Sequence, residues 1–194
     1  MLRTIRKESA AHGLPQIHIE PEGGAVLQFL LTAIGARRVA EIGALAGYSS
    51  IWMARVLPED GLLITLEKDA ERAQLARASF ERAGLADRAE VRVGRAPEDL
   101  PALAAEGPFD AVFIDADKEG YPAYLDWALE NVRLGGLVMA HNAFWYGRIL
   151  EDAAQAEPGV RALQTFNWRI SHDPRLRGII IPVGDGIAAA VRVR

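Results

Sequence analysis

The sequence of 194 residues contains no cysteine, which excludes disulfide bonds, cysteine-ligated zinc and thiol chemistry. It has no apolar run approaching the roughly 20 residues of a membrane span. Its first residues, MLRTIRKESAAHG, lack the apolar core of a signal peptide. We therefore expect a cytoplasmic protein without a membrane partner. The net charge of −4 at pH 7 does not favour nucleic acid as a partner.

Lysine is also scarce, since only Lys7, Lys68 and Lys118 occur in the chain. The remaining composition, 50% hydrophobic and 25% charged residues, is ordinary for a globular protein. The length suits one well-cored domain and is short for two. We expect a single domain over residues 1–194, in which each lysine is worth locating.

Apolar strand-like runs alternate with helical stretches along the chain. The runs predict strands at 37–43, 62–67, 89–94, 109–115, 135–140, 176–183 and 186–193. Helical spacing predicts helices at 48–57, from an Asp69 N-cap to Gly84, at 121–132 and around 158–171, with a short helix or turn at 97–107 interrupted by Pro101. This alternation predicts an α/β fold with a mostly parallel sheet, helices on both faces and a C-terminal antiparallel hairpin.

Ligands of such sheets bind beyond the carboxyl ends of the strands, which directs attention first to the loop EIGALAGYSS. Gly43 and Gly47 allow close approach of a ligand, but the G-x-G-x-x-G dinucleotide pattern is absent. Glu41 favours a ligand with a positive end, and Glu67, followed by Lys68, can accept both hydroxyls of a ribose. Taken singly, these features also fit a packing turn and a solvated acid. Together they favour a nucleoside site.

A second cluster of polar residues follows the fourth and fifth strands, in FIDADK and AHN. Adjacent strand ends lie roughly 4.8 Å apart, so Asp115, His141 and Asn142 could share one ion. Oxygen ligands suit Mg²⁺, whereas an imidazole shifts the preference towards Mn²⁺, Fe²⁺, Co²⁺ or Zn²⁺. Lys118 could take a proton from a phenol. The alternatives are a Lys118 ion pair with Asp115 or Glu119, and a His141 that is simply hydrogen-bonded.

Five segments together resemble the cation-dependent O-methyltransferases, which include catechol and caffeoyl-CoA O-methyltransferases. They are EIGALAGYSS, TLEKDAERAQLARASFERAGLADRAEVRVG, FDAVFIDADKEGYPAYLDWAL, LGGLVMAHNAFWYGRI and DPRLRGIIIPVGDGIAAAVR. The resemblance implies a Rossmann-like methyltransferase fold with a seven-stranded sheet in the order 3-2-1-4-5-7-6. It also implies methyl transfer from S-adenosylmethionine to a small acceptor with vicinal hydroxyls on an aromatic ring, assisted by a divalent cation.

The resemblance also implies roles for single residues. The predicted cofactor-binding residues are Glu41, Gly43, Gly47, Tyr48, Ser49, Glu67, Lys68, Ala96, Pro97 and Asp115. The predicted metal ligands are Asp115, His141 and Asn142. Lys118 is the predicted general base and contacts the substrate, and Trp145 and Tyr146 are predicted to line the substrate pocket.

Two departures from the family pattern stand out. The family carries an aspartate directly before the asparagine, where this chain has His141, so Mg²⁺ affinity should fall. The N-terminal segment, residues 1–22, is short, and we expect it to form a reduced lid or part of a homodimer contact.

Three other functions compete with this interpretation. His141 or Lys118 could act as a base without any metal. The chain could bind S-adenosylmethionine without catalysing a reaction. A nicotinamide-dependent dehydrogenase shares the fold class, but the missing G-x-G-x-x-G argues against it.

Overall fold

A computed structural model describes residues 2–194 and divides the chain into two compact units, Met1–Arg95 and Ala96–Arg194. Seven strands form one sheet in the order β3-β2-β1-β4-β5-β7-β6, so the predicted order is confirmed. The strands are β1 (Arg38–Ile42), β2 (Leu62–Glu67), β3 (Ala89–Val93), β4 (Phe109–Ile114), β5 (Val132–His141), β6 (Leu176–Ile181) and β7 (Ile187–Arg192). The helices are α1 (Leu2–Ala11), α2 (Pro21–Ala33), α3 (Tyr48–Ala54), α4 (Ala70–Ala83), α5 (Leu100–Ala104), α6 (Tyr121–Asn131) and α7 (Pro158–His172).

The first unit pairs β1, β2 and β3 in parallel and surrounds them with helices. Strands β1 and β2 are buried along almost their whole length, as expected where both faces are covered, whereas the edge strand β3 alternates buried and exposed residues. The predicted cap of α4 is present, because the Asp69 carboxylate accepts hydrogen bonds from the backbone N–H groups of Glu71 and Arg72. Helix α4 ends at Gly84, whose φ of 65° is left-handed.

The second unit pairs β4 with β5 in parallel and adds β7 and β6 as the antiparallel hairpin. Strand β5 is longer than the predicted 135–140 and ends with His141 itself. Pro101 does not interrupt α5 but lies in its first turn, where a missing N–H has no cost. Two short 3-10 segments, Lys118–Gly120 and Trp145–Leu150, follow β4 and β5. Among residues 2–194, no helix is long and apolar enough to cross a membrane.

Candidate active site

The first unit buries a carboxylate at the end of β1. The Glu41 side chain is fully buried, and its two oxygens accept hydrogen bonds from Ser49 Oγ, at 2.5 Å, and from Ser50 Oγ. Both serines lie in the first turn of α3, so the strand end and the helix start are joined through this acid. Tyr48, in the same turn, is also buried, and the Arg6 guanidinium lies 5.3 Å from its ring centroid. The two hydroxyl donors give each oxygen of this buried acid a hydrogen bond.

The loop after β1 is held against the end of β2. Glu67 accepts a hydrogen bond from the backbone N–H of Leu45 at 2.8 Å and another from Asp69 at 3.1 Å. Glu67 is therefore buried and bonded to the loop, and the alternative of a solvated acid is wrong. Lys68, the next residue, is exposed.

Glycine is required at position 47 for two reasons. Its φ of 80° lies in the left-handed region, and an added Cβ would meet Cε1 of Phe80 at 2.7 Å. Gly43 has a φ of 101° and donates its N–H to the carbonyl of Leu66. The first unit thus brings together the predicted residues of the glycine loop, Glu41 and Glu67.

The second unit places Asp115 between a lysine and a histidine. Its Oδ1 lies 3.5 Å from Lys118 Nζ, and its Oδ2 lies 3.2 Å from His141 Nδ1. Burial raises the pKa of the Asp115 carboxyl, but the contacts with His141 and Lys118 outweigh burial, so the pKa is lowered. The parallel pairing of Ile114 with Ala140 positions the two strand ends next to each other, as the sequence predicted.

Lys118 is largely buried and is anchored by a tyrosine. Its Nζ donates to the Tyr121 hydroxyl oxygen at 2.5 Å and to the carbonyl of Ala116 at 3.4 Å. Burial lowers the pKa of Lys118, and the nearby Asp115 opposes this without cancelling it. Of the two ion pairs considered from the sequence, the structure has the one with Asp115.

Tyr121 connects Lys118 to the backbone of β4 and β5. Its hydroxyl donates to the carbonyl oxygen of Ile114 and to that of His141, with oxygen–oxygen distances of 3.3 and 3.1 Å. The ring is fully buried and packs edge-on against Phe166. Burial raises the pKa of Tyr121 well above its usual value, so the hydroxyl remains a donor.

Asn142 is oriented by Asp185, which lies in the glycine turn between β6 and β7. The Asn142 side-chain nitrogen donates to Asp185 Oδ2 at 2.8 Å, and the backbone N–H of Tyr146 donates to Asp185 Oδ1 at 2.7 Å. Trp145 is half-buried with the Arg148 guanidinium 4.7 Å from its ring centroid, and Tyr146 is exposed.

Two other predicted residues, Ala96 and Pro97, open the second unit. The Ala96 carbonyl accepts a hydrogen bond from the Tyr124 hydroxyl at 3.4 Å, and that hydroxyl also donates to Asp117 at 2.8 Å. Asp117, an acid of the FIDADK segment, is therefore hydrogen-bonded to Tyr124 within the second unit.

Sequence reasoning missed Tyr121 and Asp185. Tyr121 lies three residues after Lys118, a spacing that brings side chains onto one face of a helical turn, and this signal could have found it. Asp185 was visible only as the acid of a GDG turn, and its distance of 43 residues from Asn142 hid the contact.

Of the three predicted metal ligands, Asp115 offers a carboxylate, His141 an imidazole and Asn142 an uncharged amide. Across residues 2–194, no three His, Cys, Asp or Glu side chains form a group that could hold a metal. The set of Asp115, His141 and Asn142 is not of that kind, because its third donor is an amide oxygen.

Comparison with known proteins gives the family. A model of the O-methyltransferase family matches residues 1–193. The catechol O-methyltransferase of Niastella koreensis is 41% identical over 189 residues, which cover 94% of this chain and 85% of that protein. Caffeoyl-CoA O-methyltransferase 1 of Zea mays is 34% identical, covering 100% of this chain and 78% of that protein.

A solved structure agrees with these relatives. The O-methyltransferase from Bacillus cereus, in complex with SAH, has a TM-score of 0.92 and 38% identity, covering 98% of this chain and 90% of that one. The predicted resemblance and the predicted class of enzyme are thereby confirmed. The chain belongs to the O-methyltransferase family.

Proposed function

We propose that this O-methyltransferase transfers a methyl group from S-adenosylmethionine to one hydroxyl of a small aromatic acceptor with vicinal hydroxyls, and that it binds a divalent cation. The observation that carries the proposal is the position of Asp115, with Lys118 on one side and His141 on the other. Similarity to a catechol O-methyltransferase and to a structure in complex with SAH supports the acceptor class and the methyl donor.

The methyl donor would be held by the strand ends that the sequence singled out. S-adenosylmethionine supplies an electrophilic methyl group on a positively charged sulfonium. Each carboxylate oxygen has two lone pairs, and Glu67 uses one on each oxygen, so it retains capacity for two ribose hydroxyls. The buried charge of Glu41, in the same unit, favours a cationic ligand.

In the first unit, the other residues that would contact the donor are Gly43, Gly47, Tyr48, Ser49 and Lys68. The contacts of Ala96, Pro97 and Asp115 with the donor stay predictions from the sequence. Tyr48 and Ser49 share the first turn of α3, and the two glycines leave the loop backbone open to close approach.

The donor set of the second unit fits a divalent cation. Two ligand atoms that lie next to each other around one ion, at about 2.0–2.2 Å from it, are about 3 Å apart, and Asp115 Oδ2 and His141 Nδ1 are 3.2 Å apart. The Asn142 nitrogen is committed to Asp185, so its oxygen is the atom that can bind. When bound, the cation would lower the pKa of the acceptor hydroxyls and orient both oxygens. With one imidazole, the set favours Mn²⁺, Co²⁺ or Zn²⁺ over Mg²⁺.

Lys118 would take the proton of the reacting hydroxyl at its Nζ. Tyr121 fixes that atom at 2.5 Å, and burial lowers the pKa of the lysine towards a value at which the neutral amine can act. Trp145 and Tyr146, in the second 3-10 segment, would line the pocket of the flat acceptor. Lys118 would therefore hold the proton while the bond between the acceptor oxygen and the methyl carbon forms and the sulfur–methyl bond breaks, leaving S-adenosylhomocysteine.

Chelation and re-addition of metal test this function directly. The chain is treated with a chelator, dialysed and assayed with catechol and S-adenosylmethionine, alone and with Mg²⁺, Mn²⁺, Co²⁺ or Zn²⁺. We expect methylated catechol only after metal addition, with Mn²⁺, Co²⁺ or Zn²⁺ more effective than Mg²⁺. Full activity in the chelator would contradict the cation, and full recovery with Mg²⁺ alone would contradict the preference for softer metals.

The contact between His141 and Asp115 also supports a second candidate, a metal-independent methyltransferase. An imidazole oriented by a carboxylate is a typical general base. Activity that persists in chelator and is lost in His141→Ala would support this candidate. The homodimer and the cytoplasmic location stay predictions, which light scattering and cell fractionation can test.

A further inference from the structure

Asp185 makes two contacts that reach both ends of the segment after β5. One carboxylate oxygen accepts from the Asn142 side chain and the other from the backbone N–H of Tyr146, at 2.8 and 2.7 Å. The Asp185 residue is 7% exposed, so these bonds are shielded from water. The backbone adds to them, since Phe144 N–H donates to the Asp185 carbonyl at 3.0 Å.

The segment that Asp185 holds, residues 142–147, has an unfavourable backbone. Asn142, Trp145 and Tyr146 have φ values of 58°, 42° and 53°, which residues other than glycine rarely adopt. Such conformations persist only where surrounding contacts impose them. Asp185 supplies a contact at the first of these residues and another at the last.

The chemistry of a carboxylate also decides how the Asn142 amide is turned. An ionised carboxylate only accepts hydrogen bonds, so Asn142 must present its nitrogen to Asp185. The amide oxygen is then the group available to a cation. An amide at position 185 whose oxygen accepts from Tyr146 would instead present its NH₂ group to Asn142 and reverse this direction.

We propose that Asp185 is a positioning residue that fixes the Asn142 amide with its oxygen towards the cation and holds the segment carrying Trp145 and Tyr146. This inference rests on the proposed function, because it assigns Asn142 to the cation site. It adds a residue that neither the sequence pattern nor the proposed ligand set contains.

The test exchanges the side chains of Asp185 and Asn142, first singly and then together. In Asp185→Asn, the new amide oxygen can still accept from Tyr146, but its NH₂ group then faces Asn142, which must turn its own oxygen inward. In the double variant Asp185→Asn with Asn142→Asp, the new carboxylate accepts from that NH₂ group and retains a free oxygen. The double variant keeps the net charge of the starting protein.

Binding of Mn²⁺ to the metal-free protein is measured by the electron paramagnetic resonance signal of the free ion. Loss of an outer partner of a metal ligand costs about 10–100-fold in affinity, and we expect that loss for Asp185→Asn. We expect the double variant to bind within about threefold of the starting protein or more tightly. Asp152→Asn, which removes an exposed acid of the same unit, should bind as the starting protein does.

A second measurement requires no metal. The side-chain amide signals of Asn142, identified by their loss in Asn142→Asp, should shift in the nitrogen–proton spectrum of Asp185→Asn. Unchanged signals, or unchanged Mn²⁺ affinity in Asp185→Asn, would overturn the positioning role. If Asp185→Asn does not fold, the double variant decides: a folded double variant that binds Mn²⁺ supports the role, and one that has lost binding overturns it. A starting protein that binds no Mn²⁺ would instead contradict the proposed function.

Discussion

The Nδ1 atom of His141 lies 3.2 Å from Oδ2 of Asp115, at the ends of two neighbouring parallel strands. The same two atoms can share a proton or bind one cation. Which of the two occurs depends on how well a mixed oxygen and nitrogen set competes for the available metal.

Replacing this histidine with the family's aspartate should restore a preference for Mg²⁺. His141→Asp adds an oxygen ligand and a negative charge, so we expect the Mg²⁺ concentration for half-maximal activity to fall by about tenfold or more. The measurement is methyl transfer to catechol across a Mg²⁺ titration. His172→Asp, an exposed histidine exchanged in the same way, should leave the titration unchanged. An unaltered titration in His141→Asp would show that position 141 is not a ligand.

Removal of the Lys118 amine should lower kcat by a far larger factor than it changes the KM for S-adenosylmethionine. A positioned general base contributes about 10²- to 10⁴-fold, and we expect a loss in this range for Lys118→Ala. Lys118→Arg should not rescue the rate, because a guanidinium stays protonated. Equal rates in the starting protein and Lys118→Ala would exclude this lysine as the base.

The pH profile tests the same lysine in the intact enzyme. Only the neutral amine can accept a proton, so kcat should rise with pH and level off above the pKa of Lys118. Because burial lowers that pKa, the midpoint of the rise should lie below 10.5, the ordinary value for lysine. Rates measured between about pH 6 and 11 give the profile. A midpoint at 10.5 or above would contradict the lowered pKa.

Glu67→Gln should weaken binding of S-adenosylmethionine. Hydrogen bonds to a charged acceptor contribute about 1.5–3 kcal/mol, so we expect the dissociation constant to rise by about tenfold or more. Calorimetric titration of the metal-free protein measures this without turnover. Glu71→Gln, an exposed acid in the first turn of α4, is the matched control. Equal affinity in Glu67→Gln and Glu71→Gln would remove Glu67 from the binding site.

Asp173, directly after α7, should make the fold sensitive to acid. The Arg175 guanidinium hydrogen-bonds this carboxylate at 2.7 and 2.9 Å and lowers its pKa from 3.8 to about 2. Because the folded-state pKa is lowered, the stabilisation is complete above about pH 5 and is lost as the pH falls towards 2. Arg175 is 46% exposed, so we expect Asp173→Asn to lower the free energy of unfolding by only about 1 kcal/mol at pH 7.

Urea denaturation at several pH values measures this effect. The difference between Asp173→Asn and the starting protein should shrink as the pH falls from about 5 to 3. Asp87→Asn removes an acid that is 75% exposed and 3.8 Å from its arginine, and it should have little effect. A difference that stays constant with pH would contradict the ion pair as its cause.

The fold could be predicted from the sequence wherever local pattern and burial agree. The run 62–67 is mostly apolar and forms β2 with the predicted bounds. The start of β5 was missed because its residues Arg133–Gly136 combine charge with glycine, which is typical of a turn. Strand β4 pairs with Val132 and again from Leu137 onwards, so Arg133–Gly136 lie in an irregular stretch of β5 that a local pattern does not predict as strand.

The candidate site could be predicted only as far as its residues follow strand ends. Asp115, His141 and Glu67 were identified in this way, because parallel strands bring their carboxyl ends to one edge. The partner of Asn142 could not be found, since Asp185 reaches it through the antiparallel pairing of β5 with β7. A single sequence contains no signal for such a contact across 43 residues.

The Tyr121 hydroxyl donates a hydrogen bond to the main-chain carbonyl of His141, so this contact does not involve the His141 side chain. Because this bond does not depend on the side chain, we expect the backbone of β5 to keep its place when residue 141 is exchanged. Substitutions at position 141 would then change only the side chain offered to the proposed cation. For protein engineers, the chain would serve to compare aspartate, histidine and glutamate at one position of an otherwise unchanged site.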